Sequence, residues 1–381
     1  MSWQIPLFDP DLDEQEVEAL AAVIRSKWLT MGDRTTQFEE RFAEFCGAGY
    51  AIAVSNCTAA LHVALVALGI GPGDEVIVPS LTFVATANAV RYCGATPVFA
   101  DVASYEVWNV CPATIEPHIN ERTKAVIAVH YAGYPCDMEG IVSLASSRGL
   151  AVVEDVAHAP GAAINGKAMG TWGEIGCFSF FSNKNMTTGE GGMITTSSSP
   201  LAERMRKLRS HGMTTLTLDR HKGHAFSYDV VDLGYNYRMS ELNAALGLCQ
   251  LGRLREANVR RAALVAAYRK NLAGIRGVDV PFRDSPGTSA YHIMPILLPN
   301  DADRAGIMGA MKEAGIQTSV HYRPVDTFTA YRDAGLGPSA STPLATNIGM
   351  RTITLPLFPS MTEAQVQQVC QGLRAALMAS H

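Results

Sequence analysis

A lysine and the polar residues around it have the types and spacing for carbonyl chemistry. Lys184 stands just beyond an apolar run, Ile175 to Phe181, and the polar, glycine-rich stretch Thr187 to Gly192 follows it. An earlier apolar run ends in Asp155, with His158 shortly after it. A buried lysine amine has a lowered pKa and can form a Schiff base with a carbonyl group. The spacing therefore indicates a lysine nucleophile near a carboxylate.

Composition narrows the class of protein. The 381 residues are 48% hydrophobic, and the formal net charge is -5 without any basic block, so nucleic acid is not an expected partner. The eight cysteines form no C-x-x-C pair, which favours free thiols in a reducing compartment. No apolar run is as long as a membrane span, and the first residues lack a signal-peptide pattern. We therefore expect a cytoplasmic protein that does not bind membranes.

Short apolar strands alternate with helices over most of the chain. Strands are predicted at 51–55, 75–79, 96–102, 125–132, 150–156, 175–181 and 193–197, and helices at 10–28, 36–46, 58–68, 83–92, 138–147, 201–209 and 240–272. Apolar strands that alternate with helices are typical of a mostly parallel sheet covered on both faces. The fold class is therefore α/β, with three layers.

The end of the chain has a different pattern. Strands are predicted at 291–298 and 316–322, and helices at 304–314 and 362–378. We expect a large domain over residues 1–250 and a smaller α+β domain over 251–381, with the first helix packing near the small domain. The polar stretch 212–228 is predicted to be a mobile loop near the substrate.

Polar side chains stand where the predicted strands end. They lie at Ser55 to Thr58, Pro79 to Phe83, Tyr131, Asp155 to His158, and Ser179 to Lys184. Ligands of parallel sheets bind at the carboxyl ends of the strands. Structural caps would explain one or two of these ends, whereas all of them together favour a cofactor site.

Each part of this site has a chemical interpretation. Ser55 to Thr58 precede an Ala-rich helix and form either a phosphate cradle or a plain N-cap. Asp155 could pair with a protonated ring nitrogen or cap the next segment. Phosphate, ring nitrogen and Schiff-base lysine are the attachment points of pyridoxal 5'-phosphate, PLP. No metal site is expected, because His221 and His224 lack partners at ligand spacing.

The sequence resembles the DegT/DnrJ/EryC1/StrS aminotransferases, which are sugar aminotransferases of PLP fold type I. The resemblance covers nearly the whole chain. The matching segments are Trp28 to Thr30, Ala53 to His62, Thr82 to Val90, Glu154 and Asp155, Ala157 to Ala159, Phe178 to Phe180, Lys184 with Thr187 to Gly192, Gly234 to Met239, His321 with Tyr322, and Leu355 to Leu357.

The resemblance implies roles for the cofactor-binding residues. Lys184 would be the catalytic residue, bound to PLP as a Schiff base and moving the proton between two carbon centres. Asp155 would keep the pyridine nitrogen protonated. The implied contacts with the rest of the cofactor are made by His158 at the phenolic oxygen, Phe83 stacked on the ring, and Cys57, Thr58 and Ser179 at the phosphate.

The resemblance also implies the assembly and the substrate contacts. Asn236 would reach the phosphate of the neighbouring subunit, so the active unit would be a homodimer with shared active sites. The substrate would be contacted by Trp28, Thr30, His321 and Tyr322.

The implied reaction is transfer of an amino group. A related branch of the fold that removes a sugar hydroxyl has histidine in place of Lys184, and the segment after Lys184 is similar to members that aminate C4 of a 4-keto-6-deoxy nucleotide sugar. We expect L-glutamate or L-glutamine as donor and a nucleotide-linked keto-sugar as acceptor. Residues 324–328 depart from the family pattern. The alternatives are a keto-cyclitol or other natural-product ketone, and a non-catalytic regulator with the same fold.

Overall fold

The computed structural model describes residues 3–215, 227–336 and 342–379. The strands within these ranges are β1 Tyr50–Val54, β2 Glu75–Pro79, β3 Thr96–Ala100, β4 Thr123–Val129, β5 Ala151–Asp155, β6 Ala163–Ile164, β7 Lys167–Ala168, β8 Ile175–Ser179, β9 Gly192–Thr196, β10 Met294–Leu297 and β11 Thr352–Leu355.

The helices of these ranges complete the element order. They are α1 Glu14–Ser26, α2 Asp33–Cys46, α3 Cys57–Ala67, α4 Ala85–Tyr92, α5 Pro112–Ile115, α6 Met138–Arg148, α7 Ser199–Arg209, α8 Glu241–Leu272, α9 Arg304–Glu313, α10 Thr329–Asp333, α11 Pro343–Arg351 and α12 Glu363–Ala379.

One mostly parallel sheet organises the first part of the chain. Among the described residues it has seven strands in the order β1-β9-β8-β5-β4-β2-β3. Strands β3, β2, β4, β5 and β8 pair in parallel, and β9 pairs antiparallel with both β8 and β1. The carboxyl ends of the parallel strands therefore meet at one edge, as the alternating pattern predicts.

Helices cover both faces of this sheet. In β4, Val126 belongs to a buried cluster with Phe38 and Phe42 of α2, whereas the next residue, Ile127, belongs to a second cluster with Leu61 of α3. Successive strand residues point to opposite faces, so a strand that is apolar throughout needs a layer of helices on each side. The predicted three-layer α/β class is confirmed.

A smaller α+β unit follows, with its own core. Strands β10 and β11 pair antiparallel. They share one buried cluster with α9, α12, the second half of α8 and Ile5. The predicted boundary at residue 250 lies inside α8, which runs as one helix from Glu241 to Leu272. The division of the chain into two domains stays a prediction.

The first helix begins later than expected. The predicted start at Pro10 with Asp9 as its cap is wrong, because α1 begins at Glu14. Asp13 accepts a hydrogen bond from the Gln15 N–H at 2.8 Å, and the Glu16 carboxylate accepts one from the Asp13 N–H at 2.8 Å. This reciprocal capping box satisfies two helix-end donors, and therefore determines where the helix begins.

The predicted strand at 316–322 is also wrong. Ile316 forms an isolated bridge with Ile5, and Ser319 forms one with Thr354 of β11. Because the two positions pair with different segments, no continuous ladder forms. Sequence analysis did not predict β11 or α11. The predicted loop at 212–228 lies largely outside the described residues.

A buried carboxylate ties α8 to the beginning of α2. Glu241 accepts hydrogen bonds from the backbone N–H groups of Gly32, Arg34 and Thr35, each at 2.8 Å, and from the Thr35 hydroxyl at 2.7 Å. The first N–H groups of a helix have no carbonyl partner within the helix. Glu241 therefore serves as the N-terminal cap that Gly32 cannot provide from its own side chain.

We expect Glu241→Ala to lower the free energy of unfolding by about 3 kcal/mol, because each buried donor left without a partner costs roughly 1–3 kcal/mol. Urea unfolding followed by circular dichroism measures the change. Glu40→Ala is the matched control, since Glu40 is an exposed glutamate on α2, the helix that Glu241 caps. Equal losses in the two variants would contradict this account of the cap.

Candidate active site

The carboxyl edge of the sheet opens into a cavity of about 640 Å³. It lies between the N-terminus of α3, the ends of β5 and β8, and a segment that follows α8 in the chain. The predicted site residues that line it are Cys57, Thr58, Phe83, Asp155, Ser179, Lys184, His321 and Tyr322. Residues that are far apart in sequence thus share one cavity.

The N-terminus of α3 provides the anion-binding end of the cavity. Its cap is Asn56, whose side chain accepts a hydrogen bond from the Ala59 N–H at 2.8 Å. The N–H groups of Cys57 and Thr58 lie in the first turn of the helix, where no carbonyl of the same helix can accept their hydrogen bonds. Gly192 lets β9 approach this turn, since a Cβ there would lie 2.8 Å from the Cys57 nitrogen. A phosphate group fits here, at the positive end of the helix dipole.

The carboxylate of Asp155 is held in a fixed orientation at the end of β5. Thr86 donates its hydroxyl to Oδ2 at 2.8 Å, and the Ala157 N–H donates to Oδ1 at 3.1 Å. Burial raises the pKa of Asp155, while these hydrogen bonds and the nearby Lys184 oppose the rise. The carboxylate is therefore directed into the cavity and suited to pair with a protonated ring nitrogen.

The side chain of Lys184 is half-buried in the wall of the cavity. Burial lowers the pKa of Lys184 to about 8, and the charge of Asp155 opposes this shift. A substantial part of the amine is thus neutral near physiological pH, as attack on an aldehyde requires. Ser179, at the end of β8, is buried nearby on the same wall.

His158 lies behind the cavity wall. Its Nδ1 accepts a hydrogen bond from the Ala132 N–H at 3.2 Å, so Nε2 carries the proton and donates to the Tyr322 hydroxyl at 2.9 Å. Tyr322 lines the cavity, whereas His158 does not. His158 is therefore connected to the cavity by its hydrogen bond to Tyr322. The contact of His158 with the cofactor's phenolic oxygen stays a prediction.

Besides His158, three further predicted residues do not line the cavity. The Trp28 indole nitrogen is 3.4 Å from the Met31 carbonyl oxygen. Thr30 and Asn236 are exposed. Asn236 adjoins Tyr237, which does line the cavity. The roles of Trp28, Thr30 and Asn236 stay predictions.

The structure brings in residues that sequence reasoning missed. Thr86 orients Asp155, and His292 lies 3.4 Å from the Lys184 amine. Asn183, Glu190 and Tyr237 also line the cavity. Thr86, Glu190 and Tyr237 lie within segments that resemble the family but were given no role. For His292 the sequence signal is that it interrupts the apolar stretch leading into β10.

These features define a class of protein. An amine with a lowered pKa, a fixed carboxylate and a helix N-terminus face one cavity, and the Phe83 ring, 55% exposed, presents an apolar face there. The amine suits the aldehyde of PLP, the carboxylate suits its ring nitrogen, the helix N-terminus suits its phosphate, and Phe83 suits the face of its ring. The fold and the site are those of a PLP-dependent transferase.

Comparison with known proteins gives the family. The chain belongs to the DegT/DnrJ/EryC1/StrS aminotransferase family, whose pattern matches residues 10–374. It is 40% identical to the spore coat polysaccharide biosynthesis protein SpsC of Bacillus subtilis, over 97% of this chain and 96% of that one. It is also 40% identical to GDP-perosamine synthase of Escherichia coli O157:H7, over 97% of each chain.

A solved structure supports the cofactor. The PMP-form of Spr1654 from Streptococcus pneumoniae is 28% identical to this chain and superposes on it with a TM-score of 0.93. The match covers 99% of this chain and 100% of that one. The same protein has also been solved in a PLP-form. This chain is therefore a PLP-dependent aminotransferase.

The described part of the chain offers neither a cluster of metal-binding side chains nor a membrane-spanning helix. Within residues 3–215, 227–336 and 342–379, no group of three or more His, Cys, Asp or Glu side chains is placed to hold a metal ion. In the same ranges, no helix combines the length and the apolar character needed to cross a bilayer.

The lowered pKa of Lys184 predicts the pH dependence of cofactor attachment. A neutral amine reacts and a protonated one does not, so the rate of PLP attachment to the apo-protein should rise with pH and level off above about 8. An ordinary lysine would keep gaining rate up to its pKa of about 10.4. Growth of the visible absorbance band after mixing measures the rate, with free Nα-acetyl-lysine as control.

Asp155→Asn tests the electrostatic part of this prediction. Removing the carboxylate takes away an interaction that raises the pKa of Lys184, so the midpoint should move to lower pH. A midpoint that moves upward, or a wild-type rate that still climbs at pH 10, would contradict the prediction.

Proposed function

We propose that the enzyme transfers an amino group from L-glutamate or L-glutamine to the ketone of a nucleotide-linked 4-keto-6-deoxy sugar. The observation that carries this proposal is the common cavity of Lys184, Asp155 and Ser179. The similarity to GDP-perosamine synthase supports a nucleotide sugar as the acceptor. The segment Thr187 to Gly192 supports amination at C4.

Each cavity residue has a separate role in the proposed reaction. PLP, when bound, supplies an electron-withdrawing ring that carries the amino group from donor to acceptor. Asp155 would hold a negative charge against the ring nitrogen, and the N–H groups of Cys57 and Thr58 would bind the phosphate together with Ser179. Phe83 would supply an apolar surface for the ring. Lys184 Nζ holds the proton and delivers it, which its lowered pKa allows at neutral pH.

His321 and Tyr322 are proposed to contact the sugar. Burial lowers the pKa of His321 to about 4, so the ring is neutral at working pH. Its Nδ1 lies 2.9 Å from the Thr354 hydroxyl. A neutral imidazole and a tyrosine hydroxyl on one cavity wall can hydrogen-bond the hydroxyl groups of a sugar without adding a charge.

Residues 324–328, which depart from the family pattern, do not line the cavity. Asp326 is buried and accepts hydrogen bonds from the hydroxyls of Ser80 and Thr342, each at 2.8 Å. The departure therefore accompanies a packing role for this segment. It leaves the acceptor to be decided by assay, with a keto-cyclitol or another small-ring ketone as the second candidate.

The active unit is proposed to be a homodimer. The strip that precedes Asn236 exposes Val230, Val231 and Leu233, with Leu233 82% exposed. Such an exposed apolar surface is suited to pack against a second copy of the chain. This packing would place Asn236 at the partner's phosphate site. Trp28 and Thr30, beside exposed Leu29, are proposed to contact the substrate in the assembled enzyme.

The compartment and the division of the chain are proposed on other grounds. The eight cysteines are all free thiols, which favours the cytoplasm, where thiols stay reduced. The large domain, residues 1–250, would hold the cofactor, and the small domain, residues 251–381, would close the substrate side.

We expect L-glutamate to convert the visible band of the PLP-loaded enzyme to the near-ultraviolet band of the amino form. Lys184→Ala should abolish turnover, because within the described residues Lys184 is the lysine that lines the cavity. Lys312→Ala, which changes an exposed lysine of α9, is the control. Turnover that survives Lys184→Ala would sink the proposal, and a panel of keto-sugars and keto-cyclitols assayed with one donor identifies the acceptor.

A mixture of Lys184→Ala and Asn236→Ala subunits tests the shared site. In a hybrid dimer one site keeps both residues, so an equal mixture should recover about a quarter of wild-type activity. The activity of each parent variant alone is the baseline. A mixture no more active than the mean of its parents would show that Asn236 acts within its own subunit or not at all.

A further inference from the structure

His292 contacts the catalytic lysine from outside the cavity. It precedes β10, is 4% exposed, and places its Nε2 3.4 Å from the Lys184 amine. It does not line the cavity, so it cannot touch a substrate there. Its direct contact with a reacting group is the one with Lys184.

A chain of hydrogen bonds fixes the protonation of the His292 ring. The Asn185 amide donates its two protons to the Ala290 carbonyl at 2.7 Å and to Asn258 Oδ1 at 2.8 Å. The Asn258 amide nitrogen in turn donates to the Pro160 carbonyl at 2.9 Å, which fixes its own orientation. Both amides are thus oriented by backbone carbonyls, which only accept hydrogen bonds.

The orientation of Asn185 determines which ring nitrogen carries the proton. Its Oδ1 faces His292 Nδ1 at 2.9 Å and can only accept. Nδ1 must therefore carry the proton, and Nε2 keeps its lone pair toward the Lys184 amine. The carbonyls of Ala290 and Pro160 thus fix this tautomer, the first through Asn185 and the second through Asn258 and Asn185.

We propose that His292 is a positioning residue for Lys184, whose amine donates a hydrogen bond to the Nε2 lone pair. This contact holds the Nζ atom and turns its own lone pair toward the cavity, where the proton must be taken up and released. The two nitrogens are 3.4 Å apart, which is at the long end of the range for a hydrogen bond. The proposal rests on the PLP-dependent chemistry of the chain and is independent of the donor and the ketone.

The surroundings keep His292 neutral. Burial lowers its pKa well below the usual range, and the positive charges of Lys184 and Arg261 act in the same direction. The His158 ring packs against it with centroids 4.4 Å apart. The contact with Lys184 is consequently a hydrogen bond to a neutral acceptor rather than a repulsion between two cations.

Two substitutions separate positioning from space filling. His292→Gln places an amide oxygen near the Nε2 position and can still accept from Lys184. His292→Asn places its amide near Nδ1, which keeps the contact with Asn185 and loses the one with Lys184. Both residues are neutral and polar, so the pair differs mainly in which ring nitrogen it replaces.

The readout is the rate of covalent PLP attachment to the apo-protein, followed by the visible band and by borohydride trapping with mass analysis. A misplaced reacting group costs about 100-fold, so His292→Asn should lose on the order of 100-fold in this rate and in kcat, with donor KM nearly unchanged. His292→Gln should recover most of the loss. Melting temperatures verify that the variants are folded.

Two results would overturn the proposal. One is an attachment rate for His292→Asn equal to wild type. The other is an equal loss in both folded variants, which would assign His292 to packing. If neither variant folds, Asn185→Ala carries the test, since it releases the ring tautomer and should slow attachment about 10-fold; an unchanged rate in that variant would also overturn the proposal.

Discussion

The burial of one lysine amine beside a buried carboxylate is the constraint on which the active site depends. Removing the Lys184 amine from water disfavours its charged form, and Asp155 acts in the opposite direction. The resulting pKa of about 8 leaves the amine able both to attack a carbonyl and to hold a proton. A fully solvated lysine could do only the second at neutral pH.

The topology of the sheet brings the Lys184 amine and the Asp155 carboxylate together. β5 and β8 are adjacent and parallel, so Asp155 and the turn after Ser179 come to the same edge. The helix layers on both faces exclude water from the strands that carry them. The N-terminus of α3 adds a positive end of a helix dipole to a chain with a formal net charge of -5. Binding of an anionic cofactor thus depends on local field and not on overall charge.

Several residues that support the site come from α8 and the segment after it. His292, His321 and Tyr322 reach the cavity or its wall from there, and Arg261 of α8 donates to the His292 carbonyl at 3.1 Å. Glu241 at the start of the same helix anchors α2, whose aromatic residues pack under the sheet. One long helix therefore links the packing below the sheet to the groups that hold the lysine.

The amino-acid sequence by itself determined the chemistry and the class of fold. Lys184, Asp155 and the turn before α3 could be identified because each is a local feature, a polar group at the end of a short apolar run. The alternation of strands with helices likewise appears within windows of a few residues. The same local view misplaced the start of α1, which depends on the capping box of Asp13 and Glu16.

Only the tertiary structure decided which side chains support these groups. The partner of Lys184, His292, is 108 residues away in the chain, and the partner of Asp155, Thr86, is 69 residues away. The segment 316–322 fails to form a strand because its bridging partners lie in Ile5 and Thr354. No period or motif encodes such pairings, because they arise from the crossing of distant segments at one edge of the sheet.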